Sequence, residues 1–563
     1  MEVFTSTFQA FNSFSITIRM SILAITTFLT YCLLQFLSHK LSQKSSLPLP
    51  PKPPGAPLVG NLFQVLGATD RKQQHLLFEK WAREYGEIVR VQAGPFTQYF
   101  VNSDRAVKEI FDKASAQTAE RPRWIVSNEQ ICNQWNVLLL NGSDQRWKHQ
   151  RKVIHAGMTS IPRADAGLPY LHYETARFLN DVASNPSVQR DSTKIWDAVQ
   201  RYTYSTFASQ TFGMDIPDAN SPLIHYIHET GLAQILGTLP GYHIVDMLPI
   251  FDSLPLILKP WERSARTRFR RDLAWVTARL DKLQRLSSNV TIDGSFLSRA
   301  ISDAETLGFN TPSEAAYLSL MLIIGAADTS AISTWAFLEG MLRNGSAQTT
   351  AFAAVDALVG DRLPVYEDLA QLPYIRCLMK ETWRWRPPVA LGHPHLTTAE
   401  IVCDGMRIPR GSRVHLNAWA IGHDPARHER PDEFLPERYE HDESSTMQSI
   451  NSKDVSSRDH FAFGAGRRVC PGYHVAERSL AVAIMRILWA FEVRVAEGAK
   501  LPLDERDWAG DMPGLPGKNM PVTLVPRSEE RRRLVCHLFE GEERTRTPMV
   551  SFMTLVLSVD FTD

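Results

Sequence analysis

The segment Phe463-Gly464-Ala465-Gly466-Arg467-Arg468-Val469-Cys470-Pro471-Gly472 constrains this chain more than any other stretch. Glycines at 464, 466 and 472 let the backbone turn sharply and approach a flat partner where a Cβ would not fit. Cys470 then stands among backbone amides, and a thiolate so placed ligates a soft or borderline metal. Arg468 suits pairing with acidic groups on a ligand. The blander reading of the segment is a glycine-rich turn carrying a buried free thiol. Cys32, Cys132, Cys377, Cys403 and Cys536 form no CxxC pair. They are too sparse for a disulfide framework and read as free thiols of a reducing compartment.

Three further clusters carry chemistry. Glu381 and Arg384, in Glu381-Thr382-Trp383-Arg384, share a face of an expected helix at i,i+3. Such a pair is ordinarily a solvated ion pair. Trp147 and Arg151 point the same way at i,i+4, which also suits a simple cation–π contact. Gly325-Ala326-Ala327-Asp328-Thr329-Ser330 puts an acid and a hydroxyl in an apolar helix, costly unless both find partners or a purpose. That helix has legible ends. Thr311-Pro312-Ser313-Glu314 is a capping box with proline at the first helical position, and Asn344-Gly345 supplies a stop. The apolar run Leu318–Ala327 is too short to cross a bilayer, so this is the central helix of a large domain. Competing motifs fail: position 469 is Val where a dinucleotide fingerprint needs Gly, and position 512 is Met where a phosphate loop needs Gly.

Taken together these residues resemble the cytochrome P-450 family. The haem loop FxxGxRxCxG is matched at every fixed position by Phe463 to Gly472. The resemblance implies that Cys470 is the axial thiolate of haem iron and that Arg468 meets a haem propionate. It implies the same propionate role for Trp147 and Arg151 (the family's WxxxR) and, more loosely, for His395. Glu381 and Arg384 match its helix pair, and Phe434-Leu435-Pro436-Glu437-Arg438-Tyr439 its PERF segment, with Tyr for Phe. There Arg438 closes a structural network with Glu381 and Arg384. Gly325–Ser330 matches the oxygen-activation motif, Ala326 replacing the usual glycine, with Asp328 and Thr329 as its acid and alcohol. Family position makes Trp124, Ile125, Leu322, Val389, Ala390 and Leu391 candidate pocket residues for a small apolar organic substrate.

The expected fold is mainly α, a cytochrome P-450 helical haem domain with a small β-rich part, behind an N-terminal transmembrane helix. Strand-like pieces stand at Gly86–Ala93 and around Gly405–Leu416. The chain divides into a short segment 1–19, an anchor 20–38, a proline-rich linker 39–60, the haem domain 61–535 and a tail 536–563 of unknown role. Met20–Leu37 holds no charge and gives about 27 Å of helix. Lys40, Lys44 and Lys52 follow it, against Arg19 before it, which places the domain on the cytosolic side of the endoplasmic reticulum as a single-pass protein. The sequons at Asn141, Asn289 and Asn344 should then stay unmodified. With 61 basic and 61 acidic side chains there is no broad basic face for nucleic acid.

The function implied is a haem-thiolate monooxygenase. It inserts one atom of O2 into an apolar substrate, with haem b as cofactor and electrons from NADPH through a separate cytochrome P-450 reductase. The proline hinge and the anchor look most like fungal members acting in secondary metabolism. Two alternatives stay open at this level: a haem-thiolate isomerase or dehydratase, and a haem sensor without turnover.

Overall fold

The computed structural model describes residues 47–545 apart from 71, 240–241, 288–294, 303–308, 310 and 501–519, with a few positions between 26 and 34. The expected anchor and Asn289 therefore lie almost wholly or wholly outside the described residues.

Helix Pro312–Arg343 is the spine of the molecule. The Thr311 hydroxyl accepts from the Glu314 amide at 3.2 Å, as a cap should. Asn344 ends this helix and at once caps the next, Gly345–Val359, by accepting from the Ala347 amide at 3.1 Å. The stop is thus also a start, and Gly345 is helical rather than a left-handed terminator. By length and composition the spine is able to cross a membrane, but 72% of its apolar window is buried. It is a core helix. Its first half packs among Phe207, Phe212 and Trp275. Trp335 in its second half meets Trp196 edge-on at 5.3 Å.

The β-rich part is small. Strands β1 (Ile88–Ala93), β2 (Phe96–Val101), β3 (His395–Leu396) and β6 (Arg413–Leu416) form one sheet in the order β1-β2-β6-β3. Strands β4 (Ile401–Cys403) and β5 (Met406–Ile408) pair as a hairpin, as do β7 (Phe491–Val495) and β8 (Val522–Pro526). The β2–β6 pairing is parallel, with Gln98 opposite Arg413, and joins residues more than three hundred positions apart.

Two expected boundaries move. Proline cannot donate to a sheet but its carbonyl still accepts. The Arg90 amide donates to Pro51 O at 2.8 Å and the Arg407 amide to Pro48 O at 2.9 Å, so the linker from 47 onward is docked on the domain rather than a free spacer. At the other end, residue 535 falls inside a helix, Glu529–Thr545. Val535 is in the main core, and Cys536 and Leu538 pack against it. Phe539 meets Tyr173 of helix Leu168–Ala183 at 5.9 Å. Residues 536–545 therefore belong to the domain.

A buried carboxylate ties the domain together. Glu381 and Arg384, both fully buried on helix Pro373–Trp385, pair through two bonds of 2.7 and 2.8 Å. Arg438 Nε reaches both carboxylate oxygens at 3.1 Å, and the Leu435 amide donates at 2.7 Å. Arg384 goes on to the carbonyls of Gly422, Pro431 and Glu433. The helix and segment 435–438 thereby share one acid, and Arg384 ties the loop between Gly422 and Glu433 to them. On another face of the same turn Trp383 packs edge-on to Phe463 at 5.0 Å, which carries the order into the cysteine loop.

Glu381→Ala strands two guanidiniums and should cost about 3–5 kcal/mol, read as a fall in the unfolding midpoint and in yield of folded protein. Truncation after Val535 should also lower the midpoint, by about 2–4 kcal/mol from the apolar burial lost at residues 536–539. An unchanged midpoint would return residues 536–545 to the status of an appendage.

Candidate active site

Cys470, Arg468, Trp147, Arg151, His395, Asp328 and Thr329 all line one cavity of about 390 Å³. Leu322 and Val389 line it too. Trp124, Ile125, Ala390 and Leu391 are not among its lining residues, a correction to the expected pocket. Trp124 and Ile125 instead fill a separate apolar cluster with Val126, Val245 and Ala265, and Leu391 packs on the cluster of Phe78, Trp81 and Phe100.

The cysteine loop is held from both ends. The Cys470 amide donates to Phe463 O at 2.9 Å, and the Gly472 amide donates to Cys470 Sγ at 3.3 Å. Helix Tyr473–Ala490 begins directly after it and runs into the main core. Gly466 has φ +64°, and a Cβ there would meet Phe111 O at 2.0 Å. Gly464 has φ +74° but open space around it. Burial raises the Cys470 thiol's pKa, opposed by the Gly472 amide and the charge of Arg151. A cation bound at the sulfur would complete the stabilisation of the thiolate.

Three guanidiniums converge on the cavity, one of them unforeseen. Arg121 is buried and donates to the carbonyls of Leu138, His393 and Pro394 at 3.0, 3.1 and 2.8 Å. Arg151 donates to Val469 O at 2.9 Å. Arg468 donates to Ala119 O at 2.8 Å and to Leu140 O, and lies 4.4 Å over the Trp147 ring. Burial, and then repulsion from Arg151, lowers the pKa of Arg121; burial, and then repulsion from Arg121, lowers that of Arg468. Carbonyls solvate these charges, but no carboxylate pairs with any of the three among the described residues. A dianionic ligand at this rim would neutralise charge that the fold leaves uncompensated. His395 Nδ1 lies 2.6 Å from Thr118 O, and a carbonyl accepts only, so this nitrogen carries the proton. Burial keeps the ring neutral, which leaves Nε2 as an acceptor. His395 would bond a carboxylate only on taking up a proton, which that carboxylate itself favours.

On the spine helix the acid and alcohol face different partners. Thr329 donates to Gly325 O at 2.8 Å, so its oxygen lone pairs remain free to accept from a group in the cavity. Asp328 Oδ1 accepts from the Tyr204 hydroxyl at 2.5 Å and lies 3.1 Å from His228 Nδ1. Burial, reinforced by the Asp328 charge, raises the Tyr204 pKa far above its usual value and keeps it a donor. Sequence reasoning missed Tyr204 and His228, which sit on helices Ser192–Phe212 and Pro222–Leu236 with no local motif. Gly231 permits the approach. A Cβ there would meet Ile324 Cγ2 at 2.9 Å, so the two helices touch beside Asp328.

The geometry thus joins a half-buried thiol, a basic rim without carboxylate partners among the described residues and an acid–alcohol pair around one largely apolar space. Family comparison decides what occupies it. The model described as Cytochrome P450 matches residues 50–519. The chain belongs to that family. A cytochrome P450 monooxygenase of Gibberella fujikuroi is 54% identical over 533 residues, covering 94% of this chain and 96% of the relative. Cytochrome P450 monooxygenase virE of Hypocrea virens is 32% identical, covering 87% of this chain and 88% of its own. A zebra fish cytochrome P450 structure with abiraterone superposes with a TM-score of 0.63 at 20% identity, over 81% of this chain and all of that one, and shows the shared fold. The chain is accordingly a haem-thiolate monooxygenase, and the P450 family implies a redox partner, a substrate and O2.

Gly466→Ala should destroy the loop, because its Cβ collides with a backbone carbonyl. Gly464→Ala should cost only the left-handed conformation, about 1–2 kcal/mol. Haem retained per chain after gel filtration separates them: near wild type for Gly464→Ala, and little for Gly466→Ala.

Proposed function

We propose that this cytochrome P450 holds haem with Cys470 on the iron and with Arg121, Arg151, Arg468 and Trp147 around the propionates, His395 adjoining them. The observation that carries the reading is the set of three guanidiniums at the cavity rim, Arg121 buried and Arg151 and Arg468 half-buried, none with a carboxylate partner among the described residues. Bound there, the haem supplies activation of O2 and its insertion into a C–H or C=C bond of the substrate. The protein's own contribution is placement. The loop fixes Cys470 Sγ, the guanidiniums balance the propionate charge, and the apolar walls exclude water. Thr329 Oγ1 can accept a hydrogen bond while donating to Gly325 O, and Asp328 passes protons by way of His228, which also lines the cavity. Acid–base delivery of this type is worth roughly 10²–10⁴-fold in rate.

The substrate is a small apolar organic molecule, and the fungal relatives support a place in secondary metabolism. Electrons come from an NADPH-dependent reductase. Residues 20–38 anchor the chain in the endoplasmic reticulum membrane with the domain in the cytosol. An exposed apolar stretch, Tyr242, Ile244, Ile250 and Leu256–Leu258, supports a membrane-facing side. Asn344 Nδ2 is committed to Phe434 O at 3.0 Å, in keeping with an unglycosylated site.

Thr329→Ala tests the chemistry. With reductase, NADPH and a substrate found by haem spectral shift, the variant should keep its haem spectrum yet form several-fold less product per NADPH, the remainder appearing as hydrogen peroxide. An unchanged product yield per NADPH would assign proton delivery to another group.

A further inference from the structure

Apart from the groups already described, the cavity wall carries an amide pair with an unusual hydrogen-bond account. Asn136 and Gln234 both line the cavity and both are more than nine-tenths buried. The Leu138 amide donates to Asn136 Oδ1 at 2.9 Å, which fixes the Asn136 amide with its nitrogen turned away from that N–H. Asn136 Nδ2 then donates to Gln234 Oε1 at 2.8 Å. Flipping either amide would set donor against donor, so the chain of bonds has one direction. It ends at Gln234 Nε2, which is buried and has no hydrogen-bond partner among the described residues. A donor in that condition costs free energy that any properly placed acceptor recovers.

Resting on the reading of this cavity as the substrate site, we propose that Gln234 Nε2 is a recognition donor for a neutral acceptor oxygen, a carbonyl above all, on an otherwise apolar substrate. A neutral amide in apolar surroundings suits a neutral acceptor, because a carboxylate would bring a desolvation cost that one amide does not offset. Sites built to bond a polar group discriminate against analogues lacking it far more sharply than apolar pockets discriminate by size. Gln234 is therefore a specificity-determining residue, and Asn136 positions it.

Matched probe pairs test this on the haem-loaded full chain by optical titration: fluorenone with fluorene, xanthone with xanthene, and cyclohexyl phenyl ketone with benzylcyclohexane. At least one ketone should bind roughly five- to a hundredfold more tightly than its methylene partner. Gln234→Leu should bring that ratio close to one while the hydrocarbon's affinity holds or rises. Gln234→Met, unbranched and of similar length, gives the same comparison should the leucine variant fold poorly. Absence of ketone preference in every pair, or a preference that survives in the variants, overturns the proposal. Hydrocarbons that still shift the haem spectrum in that case leave the cavity as the substrate site, whereas silence from every probe removes both.

Discussion

One buried carboxylate organises the structure. Glu381 is fully out of water, and Arg384, Arg438 and the Leu435 amide all point at its carboxylate. Arg384 comes from its own helix and Leu435 and Arg438 from one distant segment, and Arg384 spends its remaining donors on three loop carbonyls. A buried pair is weak evidence for stability as such, but breaking one is severe. The consequence here is geometric. Segments 422–438 are held on helix Pro373–Trp385, and that helix presents Trp383 to Phe463 at the root of the cysteine loop. The position of Cys470 thus depends on a charge network that never touches the cavity.

Inside the cavity the electrostatic logic is reversed. Arg121, Arg151 and Arg468 crowd into a poorly solvated space, where backbone carbonyls and the Trp147 ring hold them. The fold tolerates that strain where a doubly charged ligand relieves it, and haem brings two propionates. On the opposite side Asp328 is held by Tyr204 and His228 rather than by Thr329, so acid and alcohol act from separate hydrogen-bond systems. Both line the cavity, but the acid is bonded to the neighbouring helices and the alcohol to its own.

What the sequence made legible was local. Cys470 and its glycines lie within a single turn, Trp147 and Arg151 within one helical turn, and Thr311 and Asn344 mark helix ends by their own chemistry. The missed residues act across long separations. Arg121 meets carbonyls of 393 and 394, Tyr204 meets Asp328, and Gln234 meets Asn136, with no spacing to announce any of them. Leu322 and Val389 line the cavity as expected, whereas Trp124 and Ile125 pack against Val245 and Ala265 instead, a contact across more than a hundred residues that no local pattern announces. The end of the domain was misplaced because charged residues after Val535 hide an apolar face, and only helix Leu168–Ala183 shows what Leu538 and Phe539 cover.

The central claim is that Cys470 binds haem iron as a thiolate in a site whose charge balance the three arginines set. The most direct measurement is the carbon monoxide difference spectrum of the reduced, haem-loaded full chain beside Cys470→Ser. The account predicts a strongly red-shifted carbon monoxide band in the wild type and its absence in the variant. A variant that keeps the band, or a wild type that never shows it while fully loaded with haem, would contradict the account.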